Sequence, residues 1–259
     1  MKVQFYSDIH ADVNNIKSPE DVINFSDKAD LYIDAGDTGS LLATRNFYNH
    51  PVWDDKNVVF VGGNHLCYGV DEPLEQVEED LRNEFFLERN VSYLQNTEKD
   101  FGEYSVLGTT LWTDFNLFDN KQLCMNEAWR NMNDYQSIKY TKDHLLTPID
   151  TANMFNIAMD FLSGKINNNP KKKFIIVTHH TPSIRSSLQQ YRIQMITAAY
   201  CSKLEAFIEK HPNIVMWIHG HVHNTQMYRI GQTHILCNPL GYYTFHELSG
   251  FVPDAILEI

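Results

Sequence analysis

Apolar runs of strand length recur along the chain: KVQFYS (2–7), DLYIDA (30–35), NVVFVG (57–62), YSVLGTTLW (104–112), KFIIVTH (173–179) and NIVMWIH (213–219). They are short and rich in β-branched and aromatic residues, which predicts buried strands rather than helices. Segments of helical period fall between the early runs, at about 19–28, 73–88, 120–134, 150–166 and 201–210. Three further runs, TQMYRI, THILCN and DAILEI, crowd toward the end of the chain. Strands alternating with helices predict an α/β sheet, and the closely spaced late strands predict antiparallel additions to it. No internal repeat or low-complexity tract interrupts the pattern, and NNNPKKK (167–173) is too short for a linker. A single domain over residues 1–259 is therefore expected.

The polar residues that matter sit where the apolar runs stop. Asp8 and His10 follow the first run, Asp37 the second, and Asn64 and His65 the third. His179 and His180 follow KFIIV, and His221 and His223 follow NIVMWI. In an open α/β sheet, sites form beyond the carboxyl ends of strands. Strand ends far apart in sequence thus carry Asp, Asn and His toward one edge. The stretch HGHVHN (219–224) alone places three imidazoles in five positions. Crowded imidazoles repel when protonated, whereas neutral imidazole is the commonest nitrogen ligand for metals.

Bulk properties narrow the choice of partner. The chain has 259 residues, 43% of them hydrophobic and 21% charged, as in ordinary soluble globular proteins. A net charge of −12 disfavours duplex nucleic acid, because it offers no long-range attraction to a phosphate backbone. No apolar run reaches the length of a membrane span, and MKVQFYSDIH turns polar too early for a signal peptide. The four cysteines, Cys67, Cys124, Cys201 and Cys237, form no Cys-x-x-Cys pair. They read as reduced thiols, and a cytoplasmic location is expected.

Oxygen and nitrogen donors without thiolate suit Mn, Fe or Zn better than a structural zinc of the cysteine type. Asp8, His10, Asp37, Asn64, His179, His221 and His223 outnumber the four positions of one tetrahedral ion, so two divalent ions fit better. Two such ions about 3.5–4 Å apart can bind a bridging hydroxide and both oxygens of a phosphoryl displacement.

The order of the motifs DIH (8–10), GD (36–37), GNH (63–65), THH (178–180) and GHVH (220–223) resembles the calcineurin-like metallophosphoesterases. Flanking text such as GTTLWTDF and CNPLGYY resembles a bacterial or phage branch of that superfamily. The resemblance implies a four-layer α/β/β/α sandwich with two central mixed sheets. It implies one metal at Asp8, His10 and His223, a bridging Asp37, and a second metal at Asn64, His179 and His221. It makes His65 the group that stabilises the phosphate or protonates the leaving oxygen, and leaves His180 to orient or contact substrate. Two places depart from the pattern: Leu66 and Ser40 stand where relatives carry acidic residues. Substrate contacts are expected from the intervening segments, above all from Arg130 and Arg185, with Lys139 and Arg192 as further basic residues. The expected activity is hydrolysis of a small phosphomonoester or phosphodiester, a nucleotide or cyclic nucleotide being among the candidates. The alternatives are a nuclease of the same fold and a metal-binding scaffold with weakened catalysis.

Overall fold

The computed structural model describes residues 1–83 and 89–259. The first strand, β1 (Lys2–Tyr6), pairs in parallel with β2 (Leu31–Asp34), which pairs with β3 (Val58–Phe60) and through it with β4 (Val91–Tyr93). A second sheet carries β5 (Thr97–Phe101), β6 (Tyr104–Thr109), β9 (Lys173–Thr178), β10 (Ile214–Ile218), β11 (Gln226–Ile230) and β12 (Thr233–Cys237). Its central strands β6, β9, β10 and β12 are parallel, with β5 and β11 added antiparallel at the edges. The last strand, β13 (Ile256–Glu258), returns antiparallel beside β1. A small hairpin, β7 (Lys139–Thr141) with β8 (His144–Leu145), stands apart from both sheets.

Alternation along the strands explains the layering, because successive side chains point to opposite faces. Val3, Phe5, Leu31, Ile33, Ile175, Val177, Met216 and Ile218 pack between the sheets. Their neighbours Tyr6, Tyr32 and Phe60 face outward onto α1 (Leu41–Tyr48), α2 (Leu74–Asn83) and α3 (Lys121–Asn131). Phe174, Ile176 and Trp217 face the other way, onto α5 (Pro148–Asn168) and α6 (Glu205–Lys210). The result is the four-layer α/β/β/α sandwich with two mixed sheets. A one-turn helix, α4 (Asp134–Ser137), follows α3. Among the described residues no helix is long and apolar enough to cross a membrane.

The expected helix at 19–28 is only a turn, Pro19–Asp21. Ser18 and Asp21 cap it reciprocally, but the Asn24 N–H then bonds Pro253 O, which draws the chain away from helical pairing. The segment 201–210 begins extended, with Cys201 bridged to Thr181, and turns helical only at Glu205. Residues 84–88, the end of the helix expected at 73–88, lie outside the described residues.

Candidate metal centre

The loops that leave β1, β2 and β3 are laced together by backbone hydrogen bonds. The Asp8 N–H donates to Gly36 O (2.8 Å), His10 N–H to Asp37 O (2.9 Å) and Asp37 N–H to Gly62 O (3.0 Å). In the second sheet the Gly220 N–H donates to His179 O (3.0 Å), joining the loop after β10 to the end of β9. The two halves meet where the His221 N–H donates to Asp8 Oδ1 at 3.0 Å. Two motif glycines are sterically required for this. A Cβ on Gly63 would lie 2.1 Å from Asp37 Oδ1, and one on Gly220 would lie 2.7 Å from Asp8 Oδ2. The lacing also forces left-handed backbone on side-chain-bearing residues. Asp8 (φ 51°), His10 (φ 44°), Asp37 (φ 55°) and His221 (φ 67°) all occupy that region, which costs each roughly 1–2 kcal/mol.

Three sets of side chains converge closely enough to hold a cation: Asp8, His10 and His223; His10, Asp37 and His65; Asp37, His179 and His221. Asp37 and His10 each belong to two of the sets. Asn64 joins the third, with its Oδ1 3.1 Å from His179 Nε2.

The donor chemistry fits a metal. His179 Nδ1–H donates to Ala35 O at 2.9 Å, which leaves Nε2 facing Asn64 Oδ1 and, at 3.2 Å, Asp37 Oδ2. His223 Nδ1–H donates to Glu247 Oε2 at 2.7 Å, and its Nε2 faces Asp8 Oδ1 (3.5 Å) and His10 Nε2 (3.2 Å); burial pulls this imidazole down, but Asp8 and Glu247 raise it to about 10, so without a metal Nε2 holds a proton. His10 Nδ1 and His221 Nε2 are buried without a hydrogen-bond partner. Carboxylate and amide oxygens gathered with orphaned ring nitrogens call for positive charge at the centre, supplied by protons on His179 and His223 or by a metal ion in their place. Burial holds His10 down to about 4 and His221 well below the ordinary imidazole range, so both are neutral and able to ligate. Burial pushes Asp37 upward, but His179 and His65 beside it hold its carboxyl well below the usual range. Asp8 is likewise kept low against burial by its hydrogen bond to His223. Burial pulls His179 down, yet the Asp37 carboxylate raises it to about 9; the proton it keeps stands where a cation would serve.

His65 lies at the rim. Its N–H donates to Asp37 Oδ1 at 2.9 Å, and its ring packs against His10 (4.4 Å) and Tyr68 (4.3 Å). Leu66 is buried and turned toward Gly62, and Ser40 donates its N–H to Asp12. Among the described residues no carboxylate hydrogen-bonds the His65 ring; Tyr242 Oη does, 3.1 Å from Nε2. Tyr242 also covers the ring of His10 at 4.7 Å. Tyr242 and Glu247 went unrecognised in the sequence. The phrase CNPLGYY was the only signal for Tyr242, and nothing distinguishes Glu247 before folding brings it to His223.

A cavity of about 670 Å³ opens over this edge, with Asp37, Asn64, His65, His221 and His223 at its floor. His180 is not part of its lining. It is buried behind His221, rings 4.2 Å apart, with Nδ1 on Thr110 O. Arg130 and Arg185 do not line it either. Arg130 is exposed near the end of α3, and Arg185 lies over the Tyr228 ring with its guanidinium on Arg229 O. Arg130 and Arg185 are therefore not brought together with the seven strand-end donors, while His180 packs behind them and away from the cavity. His219 points elsewhere too, bonded to Ser186 Oγ at 2.8 Å. Trp112 and Phe115 are core residues, whereas Trp129 is half exposed.

The profile of the calcineurin-like phosphoesterases matches residues 1–225. A comparison with curated proteins finds no match. Among solved structures, the chain is similar to the phosphopantetheinyl hydrolase PptH of Mycobacterium tuberculosis, at 15% identity and a TM-score of 0.67, covering 93% of this chain and 89% of that one. It is similar also to a dimetal phosphatase from Danio rerio, at 11% identity and a TM-score of 0.56, covering 93% and 88%. At these identities the likeness is one of fold.

Proposed function

The chain belongs to the calcineurin-like phosphoesterases, and we propose that within this family it acts, as one domain over residues 1–259, through two divalent metal ions on a small phosphomonoester or phosphodiester. Membership makes it a metal-dependent hydrolase of phosphate esters. The finer reading rests above all on Asp37, whose carboxylate is common to two neighbouring sets of donors. Asp8, His10 and His223 would hold one ion; Asn64, His179 and His221 would hold the other; Asp37 would serve both. Mn²⁺, Fe or Zn²⁺ suits this thiolate-free set, and such ions acidify water toward hydroxide near neutral pH and neutralise phosphoryl oxygens.

The remaining work falls to the protein. Backbone donors to Asp8 and Asp37 fix the carboxylates before substrate arrives, so no reorganisation is needed at the moment of reaction. Glu247 holds His223 in the tautomer whose Nε2 faces the centre. His65, on the cavity side, is the group that donates a proton or hydrogen bond to the departing oxygen, with Tyr242 fixing its ring.

Elemental analysis of the purified protein tests the reading first, followed by turnover of nitrophenyl phosphate mono- and diesters with added Mn²⁺. Two metal equivalents with turnover are expected. A single equivalent would refute the dinuclear assignment, and two equivalents without turnover would favour a scaffold role.

A further inference from the structure

One wall of the cavity stands beside the metal centre, with Tyr200 stacked on His221 at 4.7 Å and Asp134 joined to Asn64 through Tyr68 Oη. It is built from the α3–α4 junction and from the loop 187–200. Those segments and their neighbours carry Arg130, Lys139, Arg185 and Arg192, yet among the described residues no Lys or Arg lines the cavity. Each of three is engaged elsewhere. Arg192 donates to Ser187 O (2.9 Å) and Arg185 O (2.8 Å), Arg185 to Arg229 O (3.0 Å), and Lys139 to Asp71 (3.0 Å). What the wall presents is a mixture of uncharged polar groups, chiefly Asn131, Asn133, Gln194 and Tyr200, and apolar side chains such as Met132 and Ile196, with Asp134 as its one carboxyl. Asp134 is buried; it accepts from Tyr68 Oη (3.2 Å) through one oxygen, and its other oxygen has no partner.

These groups treat the organic part of a substrate very differently according to its charge. A second anion carried into the cavity would lose hydration, find no cationic side chain and face the Asp134 carboxyl. Hydroxyl or amide groups would instead find donors and acceptors at the same wall. The bound metals compensate the reacting phosphate, not a charge at the far end of the molecule. We infer that the substrate is a phosphate ester whose organic part carries no second anion, being an uncharged, hydrogen-bonding group, and that the wall at Asn133 and Gln194 sets this preference. The inference rests on the phosphoesterase reading above and sharpens its substrate class.

A matched pair of ligands tests it: glucitol 6-phosphate and gluconate 6-phosphate differ only by a carboxylate in place of a hydroxymethyl group. The six-carbon chain carries the difference away from the phosphate toward the wall. Each competes against a nitrophenyl phosphate ester in the Mn²⁺-loaded enzyme at low salt, so mono- and diesterases are tested alike. Gluconate 6-phosphate is expected to bind about tenfold more weakly, since like-charge juxtaposition in a partly desolvated site is costly. Asn133→Lys and Gln194→Arg place a cation on the wall at exposed positions. Each should narrow the gap between the two inhibition constants severalfold, and an unchanged ratio in both variants would take the preference away from this wall. Equal or tighter binding of the gluconate ester to the unmodified protein, with nitrophenyl turnover intact, overturns this inference alone. Absence of turnover on both nitrophenyl esters overturns the phosphoesterase reading and this inference with it.

Discussion

His65→Ala isolates the step in which the leaving oxygen gathers charge. The side chain lost is the one facing the cavity, whereas its backbone N–H, which holds Asp37 Oδ1 at 2.9 Å, remains. The variant should therefore keep the Asp37 carboxylate in place and bind metal like the parent. On the role proposed for His65, what disappears is a proton donor to the departing group, a contribution of about 10²–10⁴-fold, or roughly 2.7–5.4 kcal/mol. That factor should be seen in full on alkyl phosphates, whose leaving alkoxides need protonation, and much less on nitrophenyl phosphates. Tyr242→Phe removes only the hydroxyl 3.1 Å from His65 Nε2. Losing one neutral hydrogen bond of about 1 kcal/mol predicts roughly a fivefold decrease, again larger on the alkyl substrate. The assay is steady-state turnover of alkyl and nitrophenyl phosphates by the three proteins, with metal content measured on each. An equal loss on both substrates would place His65 at the phosphoryl oxygens instead of the leaving group. No loss on either would remove it from the chemistry.

Asp37→Asn should retain the fold but lose at least about 10²-fold in turnover and one or both metal equivalents, because it takes charge from both donor sets; near-normal activity would refute the shared-carboxylate arrangement. Glu247→Ala frees the His223 ring, held now by a 2.7 Å bond, and should weaken metal binding or activity about 10–100-fold, as read by metal titration. Trp53→Ala empties a fully buried site ringed by Phe25, Phe47 and Tyr48. It should cost about 3–5 kcal/mol and lower the melting temperature by about 10 °C; a shift near zero would mean that this aromatic cluster is not a tightly packed unit.

Much of the site was legible because it is written at strand ends. A buried parallel strand is a dense apolar run, and the residue at which it stops is conspicuous; hence Asp8, Asp37, Asn64, His179 and His221 could be read directly. Elements without an apolar run could not. β5, TEKDF, is a largely exposed polar edge strand, and α1 reveals its buried face of Leu41, Thr44, Phe47 and Tyr48 only once packed. Glu247 and Tyr242 reach the centre from a loop whose local sequence has no period, so their partners, His223 and His65, are knowable only in three dimensions. The basic residues misled for the opposite reason. Arg185 and Arg192 look available for phosphate in sequence, but backbone carbonyls and the Tyr228 ring claim them.

The left-handed backbone at Asp8, His10, Asp37 and His221 bears on how this chain can drift over generations. Glycine at any of the four would relax the main chain and delete a polar donor in the same stroke. At Asp8 and Asp37 it would also strand the His221 and His65 N–H groups from which those carboxylates accept, at a cost of about 1–3 kcal/mol each, so the gain in thermal robustness is confined to His10 and His221. On the two-metal proposal, a homologue carrying glycine at His10 or His221 would be recognisable from one codon as a lineage that kept the sandwich and gave up a metal ligand.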